Sequence, residues 1–350
     1  MQTEKQASTH FWRRWLWVLV LIVLGAIAVT GYEYHIWQRA ASRVVVGNKK
    51  LPAQLKDRQP FSVLVMGTDV GALGRGTSYA GNTDTMELVT INPQRRAITM
   101  TAIPRDTLVR VDTKRGPDYV KINAAYAIGG AKQAQRQVHE LLGVPVDYYA
   151  LLNMGTLKKV VDAVGGVTVD NPFAFTYEGH HFKKGVQHLN GDEALKYSRM
   201  RYDDPNNDYG RQRRGQQVIE SAITTFRKQG SLSDANQLMA ATADGVRTTL
   251  PINNVATLYL NYHLAMAHVT KDHLQGKDAV IDGADFQIAT PKEINRVSKR
   301  INTALDRPTT GPIHNHETAL YHDQTSWNGY NQLAFTLPNG AQYNVPGSGQ

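Results

Sequence analysis

The sequence predicts an α/β protein in which a mixed central β-sheet is sandwiched by helices. Short apolar strands and amphipathic helices alternate over residues 61–229, and this alternation is typical of layered α/β folds. The chain has 350 residues, of which 41% are hydrophobic and 20% charged, so it can bury a sizeable core. The same composition excludes a disordered or collagen-like chain.

Three apolar runs predict the first strands of this sheet. Residues 61–66, 85–91 and 97–103 are apolar runs of strand length, and glycine, asparagine or proline follows each of them. Only residues 92–96 connect the second run to the third. Because such a short connection leaves no room for a crossover, we expect these two strands to form a hairpin.

Helical spacing of apolar residues predicts the helices. Apolar stripes occur within residues 134–142, 157–164 and 218–226, and glycines follow the first two. Further helical patterns come later, and the end of the chain is rich in Pro, Gly, Asn and His. We therefore expect one domain over residues 61–229 and a helical and irregular extension over residues 230–350.

An uncharged apolar stretch near the N-terminus predicts a membrane anchor. Residues 15–32 carry no charged side chain and are long enough to cross a bilayer as a helix, with aromatic residues at both ends. We expect a cytoplasmic tail at 1–14, a single transmembrane helix at 15–36, a basic connector at 37–60 and an extracellular domain. A cleaved signal peptide is the alternative, because residues 26–28 resemble a cleavage site.

Charge and cysteine content narrow the possible functions. Lys and Arg number 39 against 30 Asp and Glu, and the formal net charge of +9 suits an anionic partner: nucleic acid, phospholipid headgroups or a phosphorylated polymer. The chain has no cysteine. This excludes disulfide scaffolds, cysteine-based zinc sites, iron–sulfur clusters and thiol nucleophiles.

Three aspartates at strand ends form the first candidate site. Asp69 follows the first predicted strand, Asp84 precedes the second and Asp106 follows the third. Ligands of open α/β sheets bind beyond strand ends, so two carboxylates there could hold a hard cation through oxygen. Aspartate beside glycine, asparagine and proline is also ordinary turn chemistry, and the spacing alone leaves both interpretations open.

Five arginines in a short segment form the second candidate site: Arg199, Arg201, Arg211, Arg213 and Arg214. The first two would share a face of an extended segment. The pair Arg211 and Arg214 would share a face in the first turn of a helix that begins just before them. Cations there oppose the helix dipole unless an external anion binds between them, and arginine matches phosphate oxygens in a bidentate manner. The alternative is a solvated basic face with nearby aspartates as partners.

The motifs around these residues resemble those of the LytR-CpsA-Psr family, membrane-anchored enzymes that attach anionic glycopolymers to peptidoglycan in Gram-positive bacteria. The resemblance covers roughly residues 61–229 and implies an α-β-α sandwich with a lipid tunnel between sheet and helices. The motifs occur in family order at residues 61–69, 82–86, 103–107, 121–126, 162–167, 189–191, 194–195, 197–201 and 208–214.

The resemblance implies roles for individual residues. Asp69 and Asp84 would hold Mg²⁺. Four arginines would clamp the pyrophosphate of a polyprenyl carrier: Arg105, Arg199, Arg201 and Arg211. Lys121 and Arg214 would add further contacts to this group. Asp106 would either accept the proton of the attacking hydroxyl or orient Arg105, and we favour the second role.

Two positions depart from the family's pattern. Asn82 stands where the family often has a basic residue, so one phosphate contact of the family would be absent. Gly215 stands where the family usually has glutamine, and Gln216 follows it. Asn82 and Gln216 are both candidate substrate-binding residues, and pyrophosphate recognition would be re-tuned at these positions.

The implied reaction is a phosphotransfer at the outer face of the cell membrane. A muramic-acid hydroxyl of peptidoglycan would attack the sugar-linked phosphorus of a polyprenyl-pyrophosphate glycopolymer, such as teichoic acid or capsule, and polyprenyl phosphate would leave. The expected partners are this lipid-linked polymer, peptidoglycan and membrane lipid, with no nucleic acid. The alternatives are a lipid-pyrophosphate hydrolase and a non-catalytic protein that binds wall or lipid or has a regulatory role.

Overall fold

The structure is a computed structural model that describes residues 41–68, 81–114, 116–309, 311–329, 335–338 and 341–343. The predicted anchor at 15–36 and the candidate ligand Asp69 lie outside these residues. The helices and strands are, in chain order, α1 (Ala53–Lys56), β1 (Phe61–Thr68), β2 (Thr83–Asn92), β3 (Ala97–Ala102), β4 (Leu108–Thr113), β5 (Gly116–Lys121), α2 (Ala124–Leu142), β6 (Tyr148–Asn153), α3 (Met154–Ala163), β7 (Val167–Asn171), β8 (Phe175–Tyr177), β9 (His180–Phe182), β10 (Gly185–Leu189), α4 (Gly191–Arg199), α5 (Asn207–Gln229), α6 (Leu232–Thr242), β11 (Val246–Thr248), α7 (Val255–Tyr262), β12 (His268–His273), β13 (Gly276–Ile281), β14 (Ala284–Ala289), α8 (Pro291–Ala304) and α9 (His316–His322).

Six strands form the central sheet in the order β11-β6-β1-β2-β3-β12. The pairs β1–β2, β2–β3 and β6–β11 are antiparallel, whereas β1–β6 and β3–β12 are parallel. The sheet is therefore mixed, as the sequence predicts. The three predicted strands correspond to β1, β2 and β3, and the expected hairpin is confirmed because Ile91 of β2 pairs with Ile98 of β3.

Helices cover both faces of this sheet. On β1, Leu64 and Met66 belong to an apolar cluster that includes residues of α2 and α8. Val63 and Val65 point to the opposite side and belong to a cluster that includes Tyr262 of α7. Because both faces of the strand are covered, its sequence is a continuous apolar run and not an alternating one. This is the predicted helix–sheet–helix sandwich.

The predicted helical stripes correspond to α2, α3 and α5. Gly143 ends α2 in the left-handed conformation at φ 61°, which glycine adopts at low cost. Asn153 begins α3, because its side chain accepts a hydrogen bond from the backbone N–H of Thr156 at 3.0 Å. Since α5 begins at Asn207, Arg211 lies in its second turn and not in its first.

A second apolar cluster supports the helix that leads to the arginines. It joins side chains of α3, α4, α5 and the short strands β7 to β10. Tyr197 of α4 is fully buried there, with its ring centroid 5.9 Å from that of Phe175 and 5.5 Å from that of Phe182. This packing positions α4, and with it Arg199, the last residue of the helix.

The chain after residue 230 departs from the expected helical and irregular extension. The helices α6 and α7 form where apolar periodicity predicts helix, but the same region also forms the strands β11 to β14. Two of them, β11 and β12, are the edges of the central sheet. Periodicity misses β12 because an edge strand buries little, and Val269 is the one aliphatic residue in its sequence HVTKDH.

The described helices all belong to the domain around the central sheet. Within the ranges given above, none of them combines the length and apolar character that crossing a bilayer requires. The apolar stretch at 15–36 precedes the first described residue, so the anchor stays a prediction.

Candidate active site

A cavity of about 370 Å³ lies at the edge of the sheet where β1, β3 and β6 end and β2 begins. The helices α3, α4 and α5 form its other wall. This position agrees with the expectation that ligands of α/β sheets bind beyond the strand ends.

The cavity has a cationic part and an apolar part. The cationic part is lined by four of the predicted arginines beside Asp84: Arg105, Arg199, Arg201 and Arg211. The apolar part is lined by side chains from the sheet and all three helices: Val65, Leu152, Leu157, Leu195 and Ile219. Residues far apart in sequence thus form one site with the chemistry to hold an anionic head beside an apolar tail.

Arg105 lies just after β3 and is surrounded by carboxylates. Its Nη1 donates to Asp84 Oδ1 at 2.6 Å, and its Nε lies 3.5 Å from Asp106 Oδ2 and 4.0 Å from Asp208 Oδ1. Burial lowers the pKa of Arg105, but the three carboxylates outweigh burial, so the pKa is raised overall. The buried Nε has no hydrogen-bond partner among the described residues.

Arg211 is held in place by Asp208, a residue one turn earlier in α5. Its Nε donates to Asp208 Oδ1 at 2.8 Å, and its Nη2 donates to the backbone carbonyl of Asp84 at 3.0 Å. Gln212 Nε2 donates to the other Asp208 oxygen at 2.9 Å. Burial raises the pKa of Asp208, but Arg211 and these hydrogen bonds lower it more, so the carboxylate stays ionised.

Arg199 and Arg201 reach the cavity from the C-terminal end of α4. Arg199 ends the helix and Arg201 follows its cap, so the two do not lie on the extended segment that their spacing suggests. The buried side chain of Met200 lies between them in the second apolar cluster. Arg199 Nη1 donates to Glu178 Oε1 at 2.8 Å, while the guanidinium carbon of Arg201 lies 5.7 Å from the Tyr202 ring centroid.

Asp106 and Lys121 support Arg105 from outside the cavity. Lys121 Nζ lies 2.8 Å from Asp106 Oδ1, and the other oxygen of Asp106 faces Arg105. Neither residue is part of the described cavity wall. One oxygen of Asp106 faces Lys121 and the other faces Arg105, so this geometry favours Asp106 as the residue that orients Arg105. Asn82 is exposed and is also outside the described wall.

Arg214 points away from the cavity and joins α5 to α4. Its side chain is 3% exposed and pairs with the carboxylate of Asp204. It also donates to the backbone carbonyls of Tyr197, at 3.0 Å, and Met200. The guanidinium carbon lies 5.6 Å from the Phe175 ring centroid. This geometry favours a structural role for Arg214 over the phosphate contact that the family resemblance implies.

Gln216 contacts Glu87, a residue that the sequence motifs do not single out. Gln216 Nε2 donates to Glu87 Oε1 at 2.5 Å and to the backbone carbonyl of Asp272 at 2.9 Å. Glu87 is buried in β2 and lines the cavity. Burial raises its pKa from 4.5 to about 8, and the hydrogen bond from Gln216 offsets part of this shift. The sequence signal for this group is an ionisable residue inside an apolar strand.

The predicted metal ligands are only partly described. Asp84 lines the cavity, whereas Asp69 lies outside the described residues. In the described chain, no group of three or more His, Asp or Glu residues could hold a metal ion. Mg²⁺ often binds through one or two carboxylates together with substrate phosphates, and such a site needs no larger group. Asp84, at the cationic part of the cavity, fits this kind of ligand.

The fold and the cavity together define a class of protein: an α/β sandwich with an arginine-lined and partly apolar cavity at the edge of its sheet. The chain belongs to the LytR_cpsA_psr family, because the family model matches residues 28–303. The match extends beyond the expected 61–229 on both sides. It therefore includes both edge strands of the central sheet, β11 and β12.

Named relatives and a solved structure cover most of the chain. The polyisoprenyl-teichoic acid–peptidoglycan teichoic acid transferase TagU of Enterococcus faecalis is 36% identical over 289 residues, which are 83% of this chain and 94% of the relative. Biofilm regulatory protein A of Streptococcus mutans is 34% identical over 335 residues, 89% of this chain and 82% of the relative. The crystal structure of protein gbs0355 from Streptococcus agalactiae matches with a TM-score of 0.71 and 34% identity, and covers 79% of this chain and 99% of that chain.

Replacing Arg214 with alanine is expected to lower the free energy of unfolding by about 3–5 kcal/mol, because it leaves Asp204 buried without its counter-charge. Urea unfolding of the purified chain measures this loss. Arg213→Ala is the matched control, since Arg213 is exposed one position away, and it is expected to change stability by less than about 0.5 kcal/mol. Equal losses in the two variants would contradict the structural role of Arg214.

Glu87 is expected to make stability fall as the pH rises. Its pKa of about 8 in the folded chain exceeds the ordinary value of 4.5, so its stabilising contribution is complete below pH 4.5 and is lost as the pH rises to about 8. Between pH 5 and 8, the unfolding free energy of the wild type should drop by roughly 3 kcal/mol more than that of Glu87→Gln, which keeps the hydrogen bond to Gln216. Parallel pH dependences in urea titrations of the two proteins would show that Glu87 is ionised at neutral pH.

Proposed function

We propose that this chain is a membrane-anchored transferase that moves an anionic glycopolymer from a polyprenyl-pyrophosphate carrier to a muramic-acid hydroxyl of peptidoglycan. The observation that carries the proposal is the cavity in which four arginines adjoin an apolar wall. A polyprenyl pyrophosphate has the same two parts, because it joins a diphosphate to a hydrocarbon tail. The name of the TagU relative as a teichoic acid transferase supports the reaction class.

The arginines of the cavity would hold the diphosphate. Guanidinium groups bind phosphate oxygens in pairs of parallel hydrogen bonds, and they stay charged at any physiological pH. Arg105 and Arg211 are already oriented by Asp84, Asp106 and Asp208. Because these two side chains are already oriented, they need little further ordering when the substrate binds.

The chemical step is an in-line exchange at the sugar-linked phosphorus. The oxygen of the acceptor hydroxyl forms a bond to this phosphorus and gives up its proton to water, while the bond to the bridging oxygen of the diphosphate breaks. The bridging oxygen leaves with the polyprenyl phosphate. The arginines stabilise the negative charge on the transferred phosphoryl group and on the leaving phosphate, so catalysis consists mainly of positioning and electrostatic stabilisation.

Asp84 and Asp69 are the residues that we assign to Mg²⁺. Support comes from the carboxylate of Asp84, which lies among the cavity-lining residues next to the arginines. When bound, the ion would neutralise charge on the phosphate oxygens. Arg105 shares the same carboxylate, since its Nη1 donates to Asp84 Oδ1. Arg105 and Asp84 would thus act on one diphosphate from adjacent positions.

We place the domain at the outer face of the cell membrane, held by the segment 15–36. Residues 15–32 of this segment are apolar and uncharged, which supports the placement. A lipid-linked substrate is confined to the bilayer, so an anchored enzyme meets it at a raised effective concentration. The acceptor wall polymer and the membrane lipid are then the partners at this surface, and nucleic acid is not.

Replacing Arg199 and Arg201 with alanine is expected to lower polymer transfer by about 10²-fold or more. Each substitution removes a positioned positive charge that would stabilise the transition state. The measurement is the amount of covalent polymer–wall adduct that the full chain forms from lipid-linked polymer and peptidoglycan. Arg213→Ala is the control, because this exposed arginine on α5 does not line the cavity. Unchanged adduct formation by the double variant would refute the clamp.

The products of the same assay separate the proposal from its alternatives. A transferase yields polymer covalently attached to peptidoglycan. A lipid-pyrophosphate hydrolase would release free polymer phosphate in its place, and a binding or regulatory protein would yield neither product.

Removing Mg²⁺ with a chelator is expected to abolish transfer, and Asp84→Asn is expected to raise the Mg²⁺ concentration for half-maximal transfer by about tenfold or more. Binding of the lipid-linked polymer should change less than turnover, because the apolar wall is intact. Asp192→Asn is the control, since this carboxylate belongs to a surface pair with Lys196. Equal transfer with chelator and with Mg²⁺ would remove the metal from the proposal.

A further inference from the structure

The helix α7 and the 3₁₀ segment His263–Ala267 that follows it carry apolar side chains on their outer surface. Ala256, Leu260 and Leu264 are exposed and spaced four residues apart, and we call them the outer stripe. Leu260 is 65% exposed and Leu264 is 47% exposed. Ala256 and Leu260 lie one turn apart on α7 and Leu264 follows on the 3₁₀ segment, and clustered exposed leucines are typical of a contact surface.

Positive side chains flank the outer stripe. The connector supplies four exposed cations and one exposed carboxylate, Asp57, over residues 49–58: Lys49, Lys50, Lys56 and Arg58. Its backbone is tied to both ends of α7, because Asn253 Nδ2, just before the helix, donates to the carbonyl of Lys49 at 3.0 Å and Asn261 Nδ2 donates to the carbonyl of Leu55 at 2.9 Å. The apolar stripe therefore lies beside a cationic border, which is the pattern of a surface that binds anionic lipid.

Few residues separate the predicted anchor from the outer stripe, so the stripe must lie near the anchor. Val46 N–H donates to the carbonyl of Thr248 at 2.7 Å, so the connector is attached to the domain only ten residues after residue 36. Residues 41–44 are helical and rise by about 1.5 Å each, which limits the span from residue 36 to Val45 to about 25 Å. The start of α7 follows Thr248 within seven residues.

The same elements cover the apolar part of the cavity. Val65 lines the cavity and belongs to one apolar cluster with Leu258 of α7. Ile219 lines the cavity and belongs to another cluster with Met266 of the 3₁₀ segment. The outer stripe and the apolar cavity wall are thus on two sides of one layer of the protein.

We propose that the outer stripe and its cationic border contact the anionic phospholipid surface of the bilayer. This inference rests on the proposed anchor and goes beyond it, because it assigns a second membrane contact that sets the orientation of the domain. In that orientation, the layer formed by α7 and the 3₁₀ segment lies between the bilayer and the apolar part of the cavity. A carrier tail at the membrane surface is then one protein layer away from the cavity.

The absence of cysteine allows a direct test with single labels. The full chain is reconstituted into vesicles of phosphatidylcholine and phosphatidylglycerol, with Leu264→Cys or Val186→Cys carrying a fluorophore. Val186, on β10, is 74% exposed and lies outside the outer stripe, so it is the matched control. Lipids with a nitroxide near the headgroup should remove most of the emission from the label at 264 and little from the label at 186. Omitting phosphatidylglycerol should weaken the quenching at 264.

A carbonate wash of the same vesicles separates failure of this inference from failure of the anchor. If the chain stays in the vesicles but the nitroxide lipids do not quench the label at 264, the anchor is retained and the membrane-contact surface is refuted. If the chain is washed out, the anchor fails and the inference fails with it. Equal quenching at 264 and 186 also overturns the proposal, because the contact would then have no preferred face.

A functional measurement tests the orientation separately. Leu260→Ser combined with Leu264→Ser should lower transfer from lipid-linked polymer in vesicles several-fold. The same variant should keep wild-type transfer when the substrate is dispersed in detergent, because the arginines are unchanged. Equal losses in vesicles and detergent would indicate damage to the fold and would overturn the assignment of the stripe to the membrane.

Discussion

Carboxylates hold three of the four guanidinium groups that line the cavity, those of Arg105, Arg199 and Arg211. Asp84, at the start of β2, accepts from Arg105 through its side chain and from Arg211 through its backbone carbonyl. Asp208 holds Arg211 from within α5, and Glu178, in the turn between β8 and β9, accepts from Arg199. Without these partners, mutual repulsion would drive the arginines into solvent. The hydrogen bond from Arg211 to the carbonyl of Asp84 joins α5 to the edge of the sheet.

The parts of the structure that local sequence controls could be predicted. Apolar runs indicated β1, β2 and β3, and spacing at three and four residues indicated the helices. The directions of the arginines could not be predicted, because they depend on how helices pack. Arg211 and Arg214 are three residues apart on α5, yet one lines the cavity and the other is buried against the end of α4. Only the position of α4, set by the burial of Tyr197, separates the two roles.

Long-range pairing explains the other differences between sequence and structure. The edge strand β12 has little apolar character of its own and is stabilised by parallel pairing with β3, more than 160 residues earlier. The apolar neighbours of Glu87 in β2 indicate that it is buried, but they do not indicate its partner. Its burial results from the helix α5, whose Gln216 contacts it across the sheet face. Because the raised pKa of about 8 keeps Glu87 neutral near pH 7, the cavity gains a polar group without a negative charge that would repel phosphate.

Under the proposed function, binding of a diphosphate in this cavity would be an exchange of partners and not the capture of free charges. Arg105 donates to Asp84, so a phosphate oxygen that takes this donor must displace a carboxylate that already compensates its charge. The guanidinium of Arg105 is already partly desolvated before the substrate arrives, since its side chain is 22% exposed, and the exchange compares one anion with another in the same environment. A cation that binds Asp84 would free Arg105 to donate to the phosphate. A carboxylate and an arginine in direct contact are therefore suited to a site that holds both a cation and a phosphate. The buried Nε of Arg105 faces Asp106 at 3.5 Å without a hydrogen-bond partner among the described residues, so it offers a further donor.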